Sequence, residues 1–370
     1  MKRKRWLISL VLFLSTSLIV ASGPIPLPVE PVEQEVRFTN NAITLVGTLT
    51  LPPGKGPHPA VILISGSGPQ NRDSEIPGVP GYRPFAVLAD HLSRHGIAVL
   101  RYDDRGVGQS TGDHATATSA DFAADAEAAM QYLFTRREAD PKQIGFLGFS
   151  EGGMKAAMVA ARRPEVAFVI SMAGTAVTGY EVIIKQVGRI TRAAGGTQEE
   201  IAQAMDKQRT FLDLVLAEKW QDLEAFLFEI FMEQLQALPA RDRAAIGDLD
   251  SFARRLVGAQ MKVAQSPWLL FLLRHDPAVD WEQVVVPVLA LFGELDVQVD
   301  AAQNRLALEA ALARAGNDDV TMVVFPTANH LFQDAVTGCL TEYSLLPPEF
   351  LPDFLNTITD WLLERVKVAD

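Results

Sequence analysis

The sequence predicts an α/β chain: a mostly parallel, doubly wound sheet interrupted by a helical insertion. Three observations carry this. Short continuous apolar runs, such as Ala60–Ile64 and Ile97–Arg101, alternate with segments of helical spacing, as in βαβ units. From residue 177 to 280 the pattern changes to long 3.6-residue periods with few strand signals, as in Phe211–Leu238. Between these regions the run Gln143–Leu147 enters Gly148-Phe149-Ser150-Glu151-Gly152 and leaves as a helix-like run, Gly153–Met158. That is a G-x-S-x-G turn between a strand and a helix, the setting of a nucleophile elbow. Flanking glycines are needed there because Cβ atoms would collide as the strand folds back.

Taken in order, residues 1–22 form a leader. Lys2-Arg3-Lys4-Arg5 precedes an apolar run from Trp6 to Ala21, with small residues at Ala21-Ser22-Gly23. A secretion signal cleaved near Ala21 and a retained membrane anchor are both open, and in either reading the body is exported to the periplasm or the outside. Pro-rich residues 23–33 read as a linker. Residues 34–176 hold the first part of the α/β unit. Val36–Asn40 and Ile43–Leu51 alternate around Asn40-Asn41 as a hairpin. Pro59–Ser65 suits a strand buried on both faces. Phe85–His95 has helical spacing and stops at Gly96. Ala120–Arg137 is an Ala-rich helix with Ser119 as its N-cap. Gln143–Phe149 and Ala167–Met172 are the next strands. After the insertion, 177–280, the sheet resumes in residues 281–370 with Val284–Phe292 and Val320–Phe325. Phe350–Val366 closes the chain as an amphipathic helix.

Composition narrows the function classes. With 370 residues, 48% hydrophobic and 21% charged, the chain is long enough for a large core plus an insertion. A net charge of −12 repels phosphate backbones, so nucleic acid is not an expected partner. Cys339 is the only cysteine, so no internal disulfide is available, and it reads as a small packed residue. Neither a second cysteine nor an HExxH pair offers a zinc site.

A serine hydroxyl becomes a nucleophile only when a base takes its proton, and the base is normally a histidine held by a carboxylate. On this kind of sheet the chain order is Ser, then Asp or Glu, then His, with each partner in a loop beyond a strand's C-terminal end. Ser150 is the nucleophile candidate. His330 fits the base, because it follows the strand Val320–Phe325 in the loop Pro326–His330. His58, His91, His95, His114 and His275 fit less well by position. Asp296 fits the acid after Leu289–Leu295, with Glu294 and Asp300 as rivals. An oxyanion site needs two backbone N–H groups. Glu151 supplies one at the start of its helix. Ser67 is expected to supply the other, from the glycine-containing loop Ser65-Gly66-Ser67-Gly68-Pro69. The charged stretch Arg101–Ser110 reads as an ion-paired loop shaping the mouth of the site.

In this order, the Ser65–Asp73 stretch, the Asp103–Ser110 loop, the Gly148–Gly153 elbow, Gly293-Glu294-Leu295-Asp296 and Asn329-His330 resemble the α/β-hydrolase superfamily. Within it the chain is similar to bacterial carboxylesterases of the EstD type, near serine-aminopeptidase-like hydrolases, from about Val36 to Asp370. Ser65 stands where that superfamily more often has His. The resemblance implies an α/β-hydrolase fold with an eight-stranded sheet and a helical cap. It also implies two-step acyl transfer on a small ester substrate, with no metal or organic cofactor: Ser150 attacks, His330 acts as base, Asp296 orients it, and the Glu151 and Ser67 amides hold the oxyanion. Related enzymes with an Asp or Cys nucleophile are disfavoured by Ser150. A serine aminopeptidase would use the same triad with acidic cap residues, for which Glu218, Asp222, Glu224, Glu229 and Glu233 are available. A lipase would use an apolar lid, for which Phe226, Leu227, Ile230, Phe231 and Trp268–Leu273 are available. A binding protein that kept the fold would lack a triad member, and none is missing.

Overall fold

The computed structural model describes residues 30–368. Eight strands form one sheet in the order β1-β2-β4-β3-β5-β6-β7-β8. Strands β1 (Val32–Asn40) and β2 (Ile43–Leu51) pair antiparallel across Asn41, whose φ of 52° is a left-handed value that asparagine tolerates. Strand β2 pairs antiparallel with β4 (Ala98–Tyr102). Every later pairing is parallel, through β3 (His58–Ile64), β5 (Ala139–Phe149), β6 (Val169–Met172), β7 (Val288–Gly293) and β8 (Val320–Phe325). The expected eight-stranded, mostly parallel sheet is therefore present.

Both faces of the central strands are covered, which is why they read as unbroken apolar runs. Ile62 of β3 packs on one side with α2 (Ser119–Phe134), α3 (Glu151–Ala160) and α11 (Ala301–Ala315), through residues such as Met130, Met154 and Leu308. Its neighbour Val61 packs on the other side with α1 (Pro84–Arg94) and the closing helix α12 (Phe354–Leu363), through Leu88, Leu92 and Ile358.

The insertion is helical. It comprises α4 (Gly179–Ala193), α5 (Gln198–Leu216), α6 (Trp220–Ala237), α7 (Ala240–Ile246), α8 (Leu249–Ala264), α9 (Pro267–Arg274) and α10 (Pro277–Trp281). Its own apolar centre includes Phe211, Leu212, Leu223, Leu227, Val257 and Leu269. The single period expected over Phe211–Leu238 is two helices, because Glu218 turns the chain at φ 53° between them. Thr178 and Thr197 each close a capping box with a glutamate three residues on, Glu181 and Glu200, which fixes where α4 and α5 begin.

Several expected boundaries move. Strand β1 starts at Val32, inside the expected linker, and Glu33 accepts from Arg101 Nη2 at 2.8 Å. The cap of α2 is Thr118, not Ser119: Thr118 has extended backbone (φ −111°, ψ 168°) and closes a box with Asp121. Ser119 is the first helical residue, and its buried Oγ has no partner among the described residues. Leader residues 1–22 and the linker as far as residue 29 lie outside the described residues. Among those described, no helix is long and apolar enough to cross a membrane. A membrane anchor, and any localisation that depends on it, therefore has no support among the described residues and is not carried further.

Thr118→Ala is expected to destabilise the protein by about 1 kcal/mol in urea denaturation, through loss of the cap. Ser119→Ala is expected to leave stability unchanged or raise it slightly. The reverse ranking would contradict the cap assignment.

Candidate active site

The site forms beyond the C-terminal ends of β5, β7 and β8. Strand β5 enters the turn at Phe149, and α3 leaves it at Glu151. Ser150 itself has φ 55° and ψ −122°, a strained conformation for a residue with a side chain. Its N–H donates to Met172 O at 2.8 Å, and its carbonyl accepts from Gly153 N at 2.9 Å, so both neighbours hold it there. A Cβ at Gly148 would lie 2.0 Å from Gly152 O, and one at Gly152 would lie 2.3 Å from Ile64 O. The elbow closes only because these two positions have no side chain, and it presses α3 against the end of β3.

Ser150, His330 and Asp296 come together although they are far apart in sequence. His330 Nε2 lies 3.1 Å from Ser150 Oγ, and His330 Nδ1 lies 2.7 Å from Asp296 Oδ2. Asp296 is 1% exposed, and its Oδ1 accepts from the backbone N–H groups of Gln298 (2.7 Å) and Val299 (2.9 Å). The two rivals go elsewhere. Glu294 is exposed, whereas Asp300 caps α11 and pairs with Arg189 Nη1 at 2.7 Å. Asn329 builds the turn that presents His330: its Oδ1 accepts from Leu331 N and Gln333 N at 2.9 and 3.1 Å. The imidazole rests against the Phe149 ring, centroids 5.0 Å apart.

Ser67 and Glu151 both line a cavity of about 470 Å³ together with Ser150 and His330. Neither backbone N–H has a protein acceptor among the described residues. Gly66 lets this loop approach closely: a Cβ there would sit 3.2 Å from Ser150 Cβ. A carbonyl oxygen developing charge beside Ser150 could therefore meet donors from two segments.

Side chains beneath this loop were not evident from the sequence. Lys155, 2% exposed, donates from Nζ to Ser65 O (3.2 Å) and Gly66 O (3.0 Å) and lies 3.5 Å from Glu151 Oε1. The other oxygen, Glu151 Oε2, accepts from Ser67 Oγ at 2.7 Å and from Trp268 Nε1 of α9 at 3.0 Å. A glutamate and a lysine at i, i+4 in an otherwise apolar helix were the available signal. The stretch Arg101–Ser110 is ion-paired as expected, but with distant partners, and none of it lines the cavity. Arg101 binds Asp73, Arg105 binds Asp125, and Asp103 binds Arg72. The pairs at Asp73 and Arg72 hold the Ser65–Asp73 loop from behind, whereas Asp125 ties Arg105 to α2. Burial favours a neutral Asp103, but hydrogen bonds from Arg72 and the Gln109 amide prevail and hold its carboxyl below the usual range.

Asp104 behaves in the opposite way. It accepts from Ser65 Oγ (2.6 Å) and Gln70 N (3.0 Å), and burial pushes its carboxyl up to about 6, against the pull of Lys155.

The acidic residues of the insertion do not reach the cavity. Glu218, Asp222, Glu224, Glu229 and Glu233 are all exposed, and Glu218 and Glu233 pair with Arg274 and Lys207. Of the expected lid residues, Leu227 is buried in the cap's own centre with Phe226 and Phe231 packed against it, whereas Trp268, Leu269 and Leu272 do line the cavity. Cys339 is half-buried at the start of a 3₁₀ turn, with Sγ 3.3 Å from Thr341 Oγ1, rather than packed in the core. Among the described residues no group of three or more His, Cys, Asp or Glu could hold a metal ion.

The raised Asp104 has a definite sign. Its proton is held more tightly in the folded chain, so its contribution to stability is complete below the ordinary Asp value and is lost as pH rises through about 6. The stability of the wild type relative to Asp104→Asn is expected to fall by about 2 kcal/mol from about pH 4 to about pH 7 in urea titrations. A difference that does not change with pH would contradict the burial of a titrating carboxyl there.

Comparison with known proteins agrees with this architecture. Residues 59–334 match the family described as "alpha/beta hydrolase fold". Esterase EstD of Thermotoga maritima is 26% identical over 289 residues, an alignment covering 78% of this chain and 58% of that protein. The chain thus spans little more than half the length of this relative. Among solved structures, an esterase of Pyrococcus furiosus superposes with a TM-score of 0.54 at 14% identity, covering 90% of this chain and 91% of that one. The α/β hydrolase GrgF of Penicillium superposes with a TM-score of 0.54 at 17% identity, covering 90% and 99%. At such identities the superpositions speak for the fold alone. With its sheet order, its helical insertion and the extent of the sequence match, the chain belongs to the α/β hydrolase fold family.

Proposed function

We propose that the protein is a serine hydrolase that cleaves carboxylic esters, with a preference for short acyl groups, by way of an acyl-enzyme on Ser150. The observation that carries this reading is the hydrogen-bonded row Ser150 Oγ, His330 Nε2, His330 Nδ1, Asp296 Oδ2, with separations of 3.1 and 2.7 Å at its two links. In this reading Ser150 Oγ bonds to the ester carbonyl carbon while its proton passes to His330 Nε2. Asp296 accepts from Nδ1, fixing the tautomer and offsetting the positive charge on the ring. The carbonyl oxygen takes up the electron pair and is held by the Ser67 and Glu151 amides. Collapse breaks the bond to the alcohol oxygen, which leaves with the proton from His330. Water then adds to the acyl-enzyme, giving its proton to His330, and the acid departs as that proton returns to Ser150.

The cavity's size lies within the range of small-molecule sites. An esterase reading is favoured over an aminopeptidase because the acidic residues available for binding an ammonium group point to solvent. The name of the Thermotoga maritima relative, an esterase, points the same way.

Ser150→Ala is expected to lower kcat on a short-chain p-nitrophenyl ester by at least about a thousandfold, as removal of a triad nucleophile typically does. Turnover near the wild-type rate in that variant would contradict the covalent route.

A further inference from the structure

Helices α4, α5, α8 and α9 of the insertion roof the cavity, and the first three each contribute a glutamine to it: Gln186 from α4, Gln208 from α5 and Gln260 from α8. All three are half-buried. Each lies three or four residues from an apolar lining residue on the same helix face: Ile183 beside Gln186, Phe211 beside Gln208, Val263 beside Gln260. An amide at such a position interrupts an apolar stripe, and leaving it unsatisfied is unfavourable. Among the described residues none of these three side chains hydrogen-bonds to the protein. The glutamines of the floor differ. Gln70 Nε2 donates to Ser67 O at 3.2 Å while its Oε1 accepts from Ser74 Oγ at 2.6 Å, and Gln298 Nε2 lies 3.4 Å from the Tyr343 hydroxyl. Floor amides are engaged in holding the site, whereas roof amides have donors and acceptors to offer.

Charge points in a complementary direction. Among the described residues no lysine, arginine or aspartate lines the cavity, and Glu151 is the one carboxylate that does. Glu151 Oε2 already accepts two hydrogen bonds, and Oε1 is sealed from solvent beside Lys155. A substrate bearing a free carboxylate or ammonium would lose its water without gaining a counter-ion.

We infer that the cavity takes uncharged esters that carry a neutral hydrogen-bonding group, an amide or a hydroxyl, a few atoms from the scissile carbonyl, bound by the roof glutamines. This rests on the hydrolase reading above. Two ester pairs matched in shape test it. Ethyl N-acetylglycinate against ethyl 4-methylpentanoate probes the acyl side. On the alcohol side, 2-acetamidoethyl butanoate is set against 4-methylpentyl butanoate. Each rate is normalised to that ester's hydroxide-catalysed hydrolysis. The expected result is that kcat/KM favours the amide member of at least one pair by about tenfold or more, and that Gln186→Leu, Gln208→Leu or Gln260→Leu lowers that preference about three- to tenfold. Because the readout is a ratio on one enzyme sample, partial misfolding of a variant cancels. Preference for the alkyl member in both pairs, an amide preference below tenfold or unmoved by all three substitutions, or faster turnover of ethyl glycinate (free ammonium) than of ethyl N-acetylglycinate would overturn the inference. If the wild type hydrolysed no ester at all, the hydrolase reading would fail and the inference with it, an outcome distinct from an active enzyme of the wrong preference.

Discussion

The backbone turn at Ser150 is the constraint on which the rest of the site depends. A residue with a side chain is held at positive φ, and the chain can reverse there only because Gly148 and Gly152 pass within contact distance of backbone. That close approach fixes the relation of β5 to α3 and seats α3 against the end of β3. The loop leaving β3 then has nowhere to run but past Ser150, where Gly66 admits it. Local strain of this kind persists only where the surroundings over-determine it. Here they do, through the sheet beneath, the carbonyl of Met172 and the buried helix above.

Beneath the loop lie three charged groups that a core of this kind would ordinarily exclude: Glu151, Lys155 and Asp104. Buried pairs are weak contributors to stability, since desolvation offsets much of their attraction. Position is what they provide. Lys155 holds two carbonyls of the loop that carries Ser67, and the Glu151 carboxylate ties that loop to Trp268 in the insertion. The cap is joined to the region around Ser150 by hydrogen bonds as well as by apolar packing, so its placement and that of the loop are linked.

Much of this was legible in the sequence, for physical reasons that differ by residue. Ser150 follows β5 directly, Asp296 and His330 lie in the loops just beyond β7 and β8, and a parallel sheet delivers all such loops to one edge, so topology alone brings them near. Glycines at 148 and 152 announced a close approach, although Gly152's nearest backbone belongs to β3 rather than to the turn itself. The partnership of Glu151 with Trp268 was not legible, because it depends on how a separate helical layer settles on the sheet. Charges at Arg101–Ser110 were visible, but their partners Arg72, Asp73 and Asp125 are set by tertiary packing. The expected mouth loop is instead a buttress. At α2 two adjacent hydroxyl residues competed for the cap, and backbone conformation, which composition does not reveal, chose Thr118.

The central claim is that the elbow makes Ser150 a nucleophile through His330. Labelling of the folded protein with a fluorophosphonate, read by intact mass and peptide mapping, tests this most directly. A single adduct on Ser150 is expected, formed rapidly in the wild type and far more slowly in His330→Ala and in urea-unfolded protein. No adduct on Ser150 in folded protein, or equal labelling with and without the imidazole, would contradict it.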